Sequence, residues 1–149
     1  MDLFDWMFIT SGFIFFISMI GAILLMAKNK MKSVKIFGLI LLVLILPIIA
    51  ILINYVVIGK DLIFIVFCVL ILSYLMAEFL LDMVFKFDFR SKTSTHVPYI
   101  VLEWAAAFSF LYGAIYLDRT IGWIIAIFFW TFIGALIYYI IKRRKISKK

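Results

Sequence analysis

The chain alternates long apolar runs with short charged ones. "WMFITSGFIFFISMIGAILLMA" (residues 6–27) is followed by a basic linker, "KNKMKSVK", and a second apolar run covers about 36–58. "GKD" (Gly59 to Asp61) is a short turn before a third run from about 62 to 85. "KFDFRSKTSTHV" then leads into an apolar stretch over 98–141. Runs of about twenty apolar residues have the length of membrane-spanning helices. The last stretch is too long for one crossing, since as a helix it reaches about 66 Å. Its one charged break is "DRT" (Asp118 to Thr120), which divides it into spans 98–117 and 120–141. The pattern predicts five transmembrane helices in one all-α integral membrane domain over residues 1–149. Pro98 suits the first turn of a helix, and Pro47, inside the second span, predicts a kink there.

Composition agrees with this reading. Hydrophobic residues make up 68% of the 149 and charged residues 15%, against roughly half and a quarter in soluble domains. One small globular core cannot hide that excess. The 17 Phe, 7 Tyr and 4 Trp suit lipid contact and interfacial belts. The net charge of +7 does not point to nucleic acid, because the bases are gathered in short runs between spans. Of 15 Lys and Arg, all but Lys60 and Arg119 follow the first, third or fifth span, and those two each sit beside an Asp. By the positive-inside rule the N-terminus is outside and the C-terminus cytoplasmic. Residues 142–149 form a basic cytoplasmic tail that sets topology and is able to hold anionic lipid head groups. "MDLFDW" is acidic where a signal peptide needs positive charge, so the first span is expected to be retained. The expected location is the plasma (inner) membrane of a prokaryote. Five spans do not divide into the two equal inverted halves usual in secondary transporters.

Candidate chemistry lies in "SYLMAEFLLDMVFKFDFR" (Ser73 to Arg90) and at the start of the fourth span. Tyr74, Glu78, Asp82 and Lys86 follow at four-residue steps and form one helical stripe. Glu78 lies about 10 Å below the cytoplasmic edge of span three, and Glu103 about 8 Å below the same edge in span four. Tyr99 shares a face with Glu103, Ala106 and Ala107. Glu78, Asp82 and Glu103 are therefore expected to converge between spans three and four. Like charges this close in low dielectric do not both ionise cheaply, so a shared proton, a bound cation or a basic partner is expected. Lys86, Arg90 and His96 are the candidate charge partners. Intramembrane ionisable groups are functional by default, but an interhelical polar clasp meets the same pattern.

Other chemistry finds little support. A lone loop His96 does not make a metal site. Cys68 is the single cysteine and reads as a small buried apolar residue. Ser73 and Ser109 lack a neighbouring His and the glycines of a nucleophile elbow. There is no Gly-rich phosphate loop, paired-His haem site or aspartate-rich pyrophosphate motif, so no cofactor is expected. Asn54 reads as a cross-helix hydrogen-bonding group. Small-residue rows (Ala105, Ser109 and Gly113; Gly122 and Ala126; Ser18 and Ala22) allow close helix approach.

Three functions compete. The first is transport or binding of a proton, cation or small cationic solute by Glu78, Asp82 and Glu103, with Tyr74 and Tyr99 lining the site. Five spans make a thin wall, so this reading calls for a homo-oligomer, held at a face such as Ala105, Ser109 and Gly113. The second is an accessory or scaffold subunit of a membrane complex, with the acids as a clasp. The third, an enzyme acting on lipid, ranks lower because no catalytic constellation is present. Beyond these the expected partner is the bilayer itself.

Overall fold

A computed structural model describes residues 1–28, 30–84 and 93–147, with the side chains of 31, 32, 82–84, 93–96 and 143–147 outside the description. The elements are α1 (Leu3–Ala27), α2 (Met31–Val43), α3 (Ile45–Val57), α4 (Leu62–Glu78), a π-helical segment (Phe79–Val84), α5 (Thr93–Leu117) and α6 (Arg119–Ser147). No strand occurs among the described residues. Five helices are long and apolar enough to cross a membrane, with α2 and α3 together counting as one.

Helix boundaries follow local chemistry. Asp2 caps α1 before the apolar run begins: its Oδ1 accepts the Asp5 N–H at 2.8 Å, and Asp5 Oδ2 accepts the Asp2 N–H at 3.1 Å. This reciprocal pair satisfies two of the orphan donors at a helix start. The second span is interrupted at Leu44. Pro47, three residues on, has no N–H for the Val43 carbonyl and its ring crowds that carbonyl. Pro98 does not open its helix, as expected from the sequence, but lies inside α5. At the sixth position it removes only one hydrogen bond near the helix start, so the polar residues before it extend the helix to Thr93. A single residue, Asp118, joins α5 to α6. Its Oδ1 caps α6 by accepting the N–H groups of Thr120 (2.8 Å) and Ile121 (2.9 Å), which is the usual role of an N-cap aspartate.

Side-chain contacts give the direction of each helix. Trp104 meets Phe132, Phe108 meets Phe129, and a Cβ on Gly122 would lie 2.5 Å from Ile115 Cα, so α5 and α6 are antiparallel. Phe64 meets Tyr116 and Tyr74 meets Tyr99, so α4 and α5 are antiparallel. Asp5 meets Tyr55 and Gly21 meets Phe37, so α1 runs against α2 and α3. Phe13 meets Phe128 and Phe16 meets Phe132, so α1 and α6 are parallel. The five long helical units thus alternate in direction. One end of the bundle carries the start of α1, the α3–α4 turn and Asp118. The other, the basic end, carries the α1–α2 linker, the π-helical segment and the end of α6.

Packing follows chain order and closes on itself, because α6 returns to α1, while α1 also touches α2, α3 and α5. Half of the apolar window of α1 is buried, more than in any other span, so α1 is the inner helix. Its contact with α5 is reciprocal. Phe110 fills the space left by Gly12, where a Cβ would come within 3.1 Å, and Phe8 fills the space at Gly113, where a Cβ would come within 2.6 Å. The layer of Phe8, Phe15 and Phe110 has ring centroids 5.1–5.4 Å apart, within the range in which aromatic pairs add about 0.5–1.5 kcal/mol each. The row Ala105, Ser109 and Gly113, expected as a face for self-association, is used inside the chain: Gly113 meets Phe8 and Phe67, and Ser109 is buried.

Candidate functional site

Four helical side chains meet near the basic end of the bundle. Glu78 is the last residue of α4 and is only 6% exposed. Tyr99 in α5 donates its hydroxyl to Glu78 Oε2. The Tyr99 and Tyr74 hydroxyl oxygens are 3.2 Å apart, and either is able to donate. Tyr74 also lies 3.5 Å from Met19 Sδ in α1 and packs edge-on against Phe15. The result is a buried line of hydroxyls that starts at a carboxylate and ends against the aromatic layer. The antiparallel packing of α4 on α5 explains it: Tyr74 and Glu78 are one turn apart on one helix, and Tyr99 faces the space between them.

Glu103, one turn beyond Tyr99, is partly buried and lies within electrostatic reach of both tyrosines. Asp82 belongs to the π-helical segment that begins directly after Glu78. The regular α-helical spacing on which the stripe of Tyr74, Glu78, Asp82 and Lys86 was expected holds as far as Glu78, where the i→i+5 segment begins. The side chain of Asp82 lies outside the described residues, as does that of His96. Lys86 and Arg90 lie outside them altogether. Among the described residues, no group of three or more His, Cys, Asp or Glu is placed to hold a metal ion.

The remaining polar groups are mostly spent locally. Ser73 donates to Val69 O (2.8 Å), Ser109 to Ala105 O (2.7 Å) and Thr131 to Ile127 O (2.8 Å), each within its own helix. That back-bonding holds the hydroxyl protons of Ser73 and Ser109 within their own helices. Among the described residues Asn54 has no cross-helix bond through its Oδ1, which is buried without a hydrogen-bond partner. The bond at that level is made by its neighbour Tyr55. An apolar groove of about 360 Å³ lies between α1, α2 and α6, lined by residues such as Ile20, Phe37 and Phe128, away from the glutamates.

A second polar cluster, not anticipated from the sequence, closes the opposite end. Asp5 is 4% exposed. It pairs with the ammonium of Lys60 and accepts a hydrogen bond from the Tyr55 hydroxyl at 2.8 Å. In sequence Lys60 sits beside Asp61, but Asp61 is exposed and Lys60 turns to α1 instead. The available signal was the alternation of spans, which brings residue 5 and residue 60 to one end. Asp5 and Met19 are fourteen positions apart in α1, so the two clusters are separated by about 21 Å, with the aromatic layer between them. Comparison with known proteins returns no match of any kind: no family model, curated sequence or solved structure is similar to the chain.

Proposed function

We propose that the five helices span a membrane, with the N-terminus outside and the basic end cytoplasmic, and that Glu78 binds a proton, or the cation that replaces it, as the core of a transport or ion-binding activity. The observation that carries this reading is the Tyr99 hydroxyl donated to a carboxylate buried between two helices, with Tyr74 continuing the line. Membrane insertion is supported by the outer surface: Leu46, Val57, Leu62, Ile127 and Trp130 are each more than half exposed. Apolar cover on this scale is rare on a water-soluble monomer. The orientation is supported by the bases clustered at the Glu78 end.

Burial favours a proton over a larger solute, since a proton needs no cavity. With Glu78 ionised, Tyr99 donates to it. With Glu78 protonated, its own O–H donates to Tyr99, which in turn donates to Tyr74. The hydroxyl line accommodates both states by reorienting, with no change in packing. Asp82 extends the same acidic region toward the cytoplasm in this proposal, and Glu103, one turn beyond Tyr99, extends it toward the membrane interior. An ionised acid costs on the order of 3 kcal/mol at the bilayer centre on insertion scales and less toward the edge, which favours the protonated form unless a cation pairs with it. Any self-association uses an outer apolar face, because Gly113 is taken by Phe8 and Phe67.

A second reading, an accessory subunit with these groups as a clasp, is favoured by the same bond, since Tyr99 and Glu78 tie α5 to α4. Proteoliposomes separate the two. Under the proposal, an imposed pH gradient drives proton flux that Glu78→Gln abolishes while leaving the protein folded. A clasp gives no flux in the wild type, and Glu78→Gln changes only the unfolding midpoint.

A further inference from the structure

At the end of the bundle away from Glu78, an ammonium group is held as a receptor holds a free amine. Lys60 Nζ pairs with Asp5 Oδ1 and lies 4.7 Å from the Tyr55 ring centroid and 5.3 Å from that of Phe64. The two rings meet edge to face with centroids 5.7 Å apart. The Tyr55 hydroxyl donates to the same carboxylate oxygen, and the other oxygen accepts the Asp2 N–H. A carboxylate supplies the countercharge, and the ring faces supply the cation–π attraction that favours organic ammonium ions.

Walls and occupant differ in how they are held. Asp5, Tyr55 and Phe64 come from α1, α3 and α4 and are all buried. Lys60 comes from the α3–α4 turn, and its side chain is 19% exposed, so the cage opens outward along the lysine stem. The main chain of Lys60 is fixed without help from its side chain. Its N–H donates to Tyr55 O at 2.9 Å and that of Gly59 to Val56 O at 3.3 Å. Gly59 at φ +67° completes this helix-ending motif in the left-handed conformation that glycine tolerates. The side chain is thus able to leave the cage with every helix intact.

We propose that Asp5, Tyr55 and Phe64 form a binding site for a primary alkylammonium, and that Lys60 is its tethered occupant. A free amine reaches the carboxylate when the lysine side chain swings out. The site is independent of the reading of Glu78. Tethering gives the lysine a high effective concentration, so the wild type resists replacement and a chain lacking the lysine side chain accepts it.

The test uses the full chain in mild detergent, with Lys60→Ala titrated with n-butylammonium chloride against equal sodium chloride. The unfolding midpoint falls in Lys60→Ala and climbs back, saturably, with butylammonium alone. The wild type responds less, and Lys60→Ala with Asp5→Asn does not respond. Equal recovery with sodium, no recovery, or recovery in the double variant overturns the proposal. If Lys60→Ala is not recovered folded, extraction is repeated with butylammonium present. Folded protein obtained only with the amine supports the site, and failure in both conditions overturns it.

Discussion

The chemistry of this chain rests on a few side chains that the apolar background leaves no choice but to pair. Tyr99 is the clearest. Its hydroxyl is donated to a buried carboxylate, and hydrogen bonds to charged groups contribute about 1.5–3 kcal/mol. Tyr99→Phe is expected to lose stability of that order, read from chemical unfolding in detergent. Glu78→Gln is expected to lose less, because the amide oxygen still accepts from Tyr99. Equal stability of Tyr99→Phe and wild type would remove the bond from the account. Gly113 carries a different constraint. A side chain there meets Phe8 and Phe67, so Gly113→Leu is expected to cost about 1–3 kcal/mol through overpacking. An outer glycine such as Gly134, with open space around it, is expected to tolerate alanine with little change.

At the scale of elements, one-residue joints do much of the positioning. Asp118 turns the chain between two long helices while capping the second. Asp118→Ala is expected to cost about 1 kcal/mol and Asp118→Asn far less, since asparagine caps as well; unfolding midpoints of the two variants check the difference. The break was legible in the sequence as the one charged interruption in a long apolar stretch, although it carries no Pro or Gly at the turn. Gly122, four residues on, is what admits the close return, because its Cα approaches the backbone of Ile115. Pro98 was misleading for a physical reason: a proline is compatible with the first turns of a helix generally, so its presence does not mark the first residue. The interruption near Pro47 was foreseeable because the missing N–H acts on a carbonyl four residues back. The π-helical segment after Glu78 had no sequence signal.

At the scale of the whole molecule, charge and hydropathy encode the level of each residue along the bundle but not which neighbour it faces. That is why the meeting of Glu78 with the start of α5 was foreseeable, although equal depth was expected with Glu103 and the described bond comes from Tyr99, one turn nearer the basic end, while the meeting of Asp5, Tyr55 and Lys60 was not. Their meeting depends on α1 packing against α3 as well as on shared level. The proposed orientation is open to direct measurement. In a Cys68→Ser background, single cysteines at residues 60 and 118 are expected to react with an impermeant thiol reagent from outside intact cells. A cysteine at residue 142 is expected to react only after permeabilisation, and the reverse pattern would invert the orientation. The central claim, that Glu78 takes up and releases a proton in its line of tyrosine hydroxyls, is tested most directly by infrared difference spectroscopy of the reconstituted protein across a pH titration. The account expects a carboxylic-acid C=O band that appears on acidification, vanishes in Glu78→Gln and shifts in frequency in Tyr99→Phe. A titration with no such band, or one that Glu78→Gln leaves unchanged, would contradict it.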